Sequence, residues 1–130
     1  MVVSEAVPLG ELAHAIARIH PAVHAAATGI GEDPDDVFDA LFTPSATLHW
    51  VGDEGFVVLT AVDEDVLLVW VAAAFTGAIS DLSAALDGVA ELARRYGFKE
   101  LQFRTARQGW ERVAPPLGFR PVEVTYARSL

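Results

Sequence analysis

A single α+β domain is what this sequence predicts, on three observations. Two stretches with apolar residues at three- and four-residue spacing come first, and three short apolar runs separated by turn residues follow. A long amphipathic segment then ends in a glycine and leads into a further strand. At 130 residues and 52% hydrophobic, the chain has the length of one domain, residues 1–130, and can bury roughly two thirds of its extended surface.

Pro8 suits the first turn of a helix in which Leu9, Leu12, Ile16, Ile19 and Val23 share one face. Pro21 is expected to kink or end that helix after Ile19 or His20, and Gly29 and Gly31 close the segment. Asp33 caps a second helix with Pro34 at its first position, Asp35 and Asp36 in its first turn, and Val37, Phe38, Leu41 and Phe42 as its buried face. Pro44 ends it. Ala46 to Val51 and Phe56 to Val62 flank Gly52-Asp53-Glu54-Gly55 as a hairpin, and Asp63-Glu64-Asp65 leads to a third strand, Val66 to Ala73. That third strand is apolar on both faces, as expected of a central strand covered on both sides.

Ser80 or Asp81 starts the long helix, which carries Leu82, Leu86, Val89, Ala90 and Ala93 and stops at Gly97. Lys99 to Arg104 reads as a strand, Gln108 to Ala114 as a short helix ended by Pro115 and Pro116, and Phe119 to Arg128 as the last strand.

Composition narrows the function classes. Without cysteine there is no disulfide, no thiolate catalysis and no Cys-ligated zinc. The N-terminus lacks the basic region of a signal peptide, and the most apolar run, Val66 to Phe75, is too short to span a bilayer, so a soluble, cytoplasmic protein is expected. The net charge of −9 is uneven: residues 1–93 carry 15 acids against one base, Arg18, while residues 94–130 carry three acids against eight bases. Either the two halves neutralise each other on one surface, or the C-terminal third forms a basic face for a phosphate-bearing ligand or an acidic partner. Overall acidity argues against nucleic acid.

The element order, with A-x-x-x-G-F at Ala93 to Phe98 and L-G-F at Leu117 to Phe119, resembles the GNAT family of N-acetyltransferases. The phrase Arg107-Gln108-Gly109-Trp110-Glu111-Arg112 is also similar to small GNAT-like proteins of tailed phages and prophages. The resemblance implies a mixed, mostly antiparallel central sheet of about five to six strands, flanked by helices on both faces.

It also implies an acetyl-CoA site: a Gln/Arg-x-x-Gly-x-Gly/Ala loop whose backbone N–H groups hold the pyrophosphate at the start of the long helix. Aligned on the shared A-x-x-x-G-F, those positions fall on Gly77, Ser80 and Leu82; only a displaced glycine survives, and Asp81 adds an anion. The family's general-acid tyrosine falls on Ala114. The strand Val66 to Ala73 has no ionisable residue to serve as base, and Lys99 to Arg104 offers Glu100 without a convergent partner.

His20 and His24 have a spacing that can place two metal ligands on one helical face, but Pro21 interrupts the turn and no metal is expected. His14 is isolated, and His49 on an alternating strand reads as structural. Asp33, Asp35, Asp36 and Asp39 have the wrong spacing for a calcium loop and read as helix-start acids. Trp70 reads as core; Trp110 either plugs the end of the sheet or anchors a partner. Arg104, Arg107, Arg112 and Arg120 either converge at the opening between the central strands or are solvated surface charge.

The expectation is a non-catalytic GNAT-like protein of phage or prophage type, a pseudoenzyme without cofactor. It would act through a protein partner or self-association as a virion or assembly component. Arg104, Arg107, Trp110, Arg112 and Arg120 are its candidate contacts. The alternatives are an acyl-CoA-dependent N-acetyltransferase with a degenerate cofactor loop, for which acetyl-CoA is the cofactor, and a binder of a small ligand or acidic peptide in the same cleft.

Overall fold

Four strands in the order β1-β2-β3-β4 form the sheet: β1 (Ala46–Val51), β2 (Gly55–Ala61), β3 (Val66–Ala74) and β4 (Glu100–Phe103). The first three pair antiparallel, and β4 runs parallel to β3. This computed structural model describes residues 2–104 and 110–120, with the side chains of Trp110 and Glu111 outside the description.

Helices α1 (Leu12–Gly29) and α2 (Pro34–Phe42) cover one face of the sheet. Their buried residues Ile19, Val23, Val37 and Leu41 pack on Leu48, Phe56, Val58 and Val71. Helix α3 (Leu82–Arg95) covers the other face, where Ala85, Val89 and Ala93 meet Val51, Val57, Leu59, Leu67 and Val69. The alternation along β2, Phe56 and Val58 to one side and Val57 and Leu59 to the other, is the period-two signature of a strand buried twice. Truncating a fully buried side chain such as Ile19, Leu41, Leu48 or Leu59 to alanine costs about 2–5 kcal/mol where the site cannot collapse.

Three expectations about the helices need correction. Helix α1 does not end at Pro21 but runs through it to Gly29. The buried stripe Leu12, Ala15, Ile19, Val23 and Ala27 leaves Pro21 on the solvent side, where the Ala17 carbonyl that loses its donor stays accessible to water. Phe42 is 47% exposed, because the stripe at Val37 and Leu41 ends one residue before it. In α3 the buried stripe is Ala85, Val89, Leu92 and Ala93, while Leu82 sits exposed in the first turn.

The caps fall where expected. The Asp33 carboxylate accepts the Asp35 amide at 2.9 Å, and α3 stops at Gly97, whose φ of +87° is the left-handed conformation that glycine adopts without strain.

The sheet has four strands among the described residues rather than five to six. Of the expected last strand, Phe119 to Arg128, only Phe119 and Arg120 are described, and neither is in a strand; the remainder lies outside the described residues. A further N-terminal partner exists but is reduced to one bridge, Val3 with Val51. The Val2, Ser4 and Val7 backbones bond to Gly52, Trp50 and Leu48, each at 2.8 Å. The Trp50 amide donates to the Ser4 hydroxyl at 2.8 Å, and the Ser4 carbonyl accepts from the His49 ring at 2.9 Å. Those two side chains take the bonds that a regular ladder would use, so the segment is a strap along the edge of β1.

Candidate functional site

The parallel pair β3/β4 is short. Its register runs from Val66–Glu100 to Val69–Phe103, after which β3 continues to Ala74 paired with β2 but not with β4. Trp70 is the next residue, and it is skipped in the pairing with β2, where Val58 faces Val71 and Leu59 faces Val69. A bulge of this kind bends the strand and ends pairing. Among the described residues the pairing of the two parallel strands thus ends at their carboxyl ends, the side on which such sheets hold ligands. Trp70 is half-buried against the α1/α2 core, in keeping with the core reading.

The loop from Phe75 to Asp81 leads from that side of the sheet into α3. Three of its hydrogen-bond donors, the Phe75 amide and the Ser80 amide and hydroxyl, are engaged by Glu54. Glu54, in the β1–β2 turn, accepts the Ser80 amide at one carboxylate oxygen and the Ser80 hydroxyl at the other, each at 3.0 Å. Asp81 caps α3 by accepting the Ala84 amide at 3.0 Å. The Phe75 amide donates to the Glu54 carbonyl at 2.8 Å. Gly77 has a φ of +63° and makes the turn between these contacts. Two carboxylates therefore occupy the positive end of α3, the place where the fold would accept a phosphate. Behind the loop an apolar slot of about 60 Å³ lies between α3 and the sheet, lined by Val57, Val69, Ala72, Ile79 and Leu86 among others.

On the opposite face Arg18 of α1 stands over Phe75, its guanidinium 4.0 Å from the ring centroid, and 5.1 Å from that of Trp50. Trp50, Phe56 and Phe75 form one tilted aromatic cluster with centroids 5.9 to 6.2 Å apart. The single base of the first 93 residues is thus placed on an aromatic surface, a contact worth about 0.5–1 kcal/mol at an exposed site.

Of the arginines singled out in the sequence, Arg104 and Arg120 pair with different partners. Arg104 lies just beyond β4 and pairs with Glu32 of the α1–α2 loop at 3.8 Å. Arg120 pairs with Glu100, the first residue of β4, at 3.2 Å. The other Glu100 oxygen accepts from Gln102 at 2.8 Å, so this carboxylate is engaged on both sides and does not stand free as a base. Arg112 is exposed on the short helix α4 (Trp110–Val113). Arg107 and the Trp110 side chain lie outside the described residues.

A second cluster ties the strap to the C-terminal end of α3. Glu5 accepts from Arg95 and, at 2.9 Å, from the Tyr96 hydroxyl. The Arg95 and Tyr96 hydrogen bonds hold the Glu5 carboxyl below its ordinary range, and the same carboxylate raises the pKa of Arg95 and of Tyr96. His49 is fully buried beside it, taking a bond from the Thr47 hydroxyl at 2.8 Å and donating to the Ser4 carbonyl. Burial pushes its pKa down, against the opposing pull of Ser4 and Glu5, and the ring is neutral. The structural reading of His49 holds. Next to it an open groove of about 300 Å³ is lined by Ala6, Ala46, Thr47, Leu59, Leu67 and Phe98 among others.

Glu54, Arg18 and Glu5 were not legible as site residues. Glu54 lies 26 positions from Ser80 and Glu5 lies 90 from Arg95, and no local pattern announces such pairs. Among the described residues no cluster of three or more His, Cys, Asp or Glu is placed to hold a metal, and no helix is long and apolar enough to cross a membrane.

The helix–meander–helix–parallel-strand arrangement is a GNAT-like mixed fold. A solved structure described as a probable acetyltransferase aligns with 100% of this chain and 97% of its own, with a TM-score of 0.64 and 16% identity. At that identity the likeness establishes the fold alone. No protein-family model matches the chain, and no curated protein matches it.

Proposed function

We propose that this GNAT-like domain does not hold acetyl-CoA in the manner of the acetyltransferases and acts instead through protein contacts. The observation that carries the reading is the Glu54–Ser80 pair. The Ser80 amide and hydroxyl, just before α3, are taken by a carboxylate of the chain itself, and Asp81 places a second carboxylate at the helix start, where it accepts the Ala84 amide. A pyrophosphate entering there would meet like charge and would have to displace bonds already made. The absence of a tyrosine at Ala114 and of an ionisable residue on β3 supports the same reading.

The uneven charge, 15 acids against one base before residue 94 and eight bases against three acids after it, suits contact between an acidic and a basic surface, either with a partner or between copies. A phage-type assembly component is the setting that the phrase from Arg107 to Arg112 resembles.

Thermal unfolding of the full chain with saturating acetyl-CoA or CoA tests this. A ligand at about 100 times its Kd stabilises the native state by roughly 2.7 kcal/mol, a Tm rise of about 8 °C or more for this size. The expected result is no rise at millimolar ligand. A clear rise would overturn the reading in favour of an acyl-CoA-dependent N-acetyltransferase.

A further inference from the structure

Continuity of α1 through Pro21 changes the standing of His20 and His24. The two residues sit one turn apart on one exposed side of an unbroken helix, and their ring centroids are 4.5 Å apart with a 38° tilt. Phe38 of α2 supports both: its ring lies parallel to His20 within 4° at 5.2 Å, and 6.3 Å from His24. Such contacts restrict side-chain rotation and leave less rotamer entropy to lose when the pair is used.

We infer that His20 and His24 form a two-histidine chelate for a divalent transition-metal ion of the zinc, nickel or copper class. Imidazole is a preferred ligand for these ions. Metal–nitrogen bonds of about 2.0–2.1 Å put the two ring nitrogens roughly 3 Å apart, and rings whose centroids are already 4.5 Å apart need only a small change of tilt to reach it. No third protein ligand stands by among the described residues, so water completes the coordination and binding is moderate rather than tight.

Calorimetric titration of Ni²⁺ and Zn²⁺ into the untagged full chain tests the chelate. His20→Gln, His24→Gln and His14→Gln serve as variants, and circular dichroism confirms that each is folded. His14 is an exposed histidine on the same helix outside the pair. The expected result is one ion per chain and a Tm raised by several degrees in excess Ni²⁺. Affinity should fall roughly tenfold or more in His20→Gln and in His24→Gln and stay unchanged in His14→Gln. Absence of binding at about 1 mM ion, retention of affinity in either pair variant, or an equal loss in His14→Gln would overturn the assignment.

Discussion

Ser80 gives both its amide and its hydroxyl to the Glu54 carboxylate, each at 3.0 Å, across 26 residues of chain. The contact joins the β1–β2 turn to the entry of α3 and determines what the positive end of that helix faces. It depends on Gly55, because a Cβ there would stand 2.2 Å from the Ala73 carbonyl oxygen, and the turn would have to leave β3.

Glu54→Ala is accordingly expected to lower stability by about 1 kcal/mol, the net worth of a hydrogen-bonded pair near the surface. Asp81→Ala should cost about 0.5–2 kcal/mol through loss of the helix cap. Urea unfolding measures both. If the carboxylates exclude phosphate, the double variant should gain affinity for CoA relative to the parent chain. A double variant as indifferent to CoA as the parent would show that the carboxylates are not what keeps the ligand out.

Acid should weaken the domain in two stages. His49 is held neutral by burial, with its folded pKa below the ordinary 6.5. The unfolded chain therefore takes up a proton first as pH falls through about 6.5, and stability declines until the folded pKa is passed. Glu5 is displaced downward from 4.5, so its contribution is present above that value and lost as pH falls further; being exposed, it adds little. The measurement is urea unfolding from pH 8 to pH 4. His49→Gln should remove the slope near pH 6 and leave the lower one, and an unchanged slope near pH 6 would place its origin elsewhere.

How far the fold could be read from the sequence depended on whether its cause was local. The bounds of β1 were legible to the residue, and those of β2 and β3 to within one, because Gly52-Asp53-Glu54-Gly55 and Asp63-Glu64-Asp65 are turn chemistry. In the second turn the Asp63 carboxylate accepts the Asp65 and Val66 amides at 2.8 and 2.9 Å. The course of α1 was not legible, because the penalty of Pro21 depends on which face it occupies, and the buried stripe places it in solvent. The strap along β1 was hidden for a different reason: the His49 ring donates to the Ser4 carbonyl 45 residues away.

Pro21→Ala follows from the same argument. The substitution restores a donor for the Ala17 carbonyl and relieves the ring on the solvent face, but it frees the unfolded chain. A net gain of about 1 kcal/mol is expected in urea unfolding, since the interior-helix penalty of proline, about 3 kcal/mol, exceeds the entropy term. A loss on substitution would mean that the entropy term at Pro21 outweighs the helix penalty.

The two crowded glycines should part company. At Gly55 an added Cβ meets backbone, the Ala73 carbonyl, at 2.2 Å. Neither strand can yield without breaking the Gly55–Ala74 pairing, so Gly55→Ala is expected to cost about 2–3 kcal/mol or more. At Gly88, inside α3, the Cβ meets the Val3 methyl Cγ2 at 2.7 Å, and the strap carrying Val3 is held to the edge of β1 by one bridge and a few hydrogen bonds rather than by a regular ladder. Alanine also raises helix propensity there by about 1 kcal/mol. Gly88→Ala should therefore stay within about 1 kcal/mol of the parent in urea unfolding, with the clash absorbed by displacement of the strap. Faster amide exchange at Ser4 would report that displacement, and a loss as large as that of Gly55→Ala would show the strap to be as rigid as the sheet.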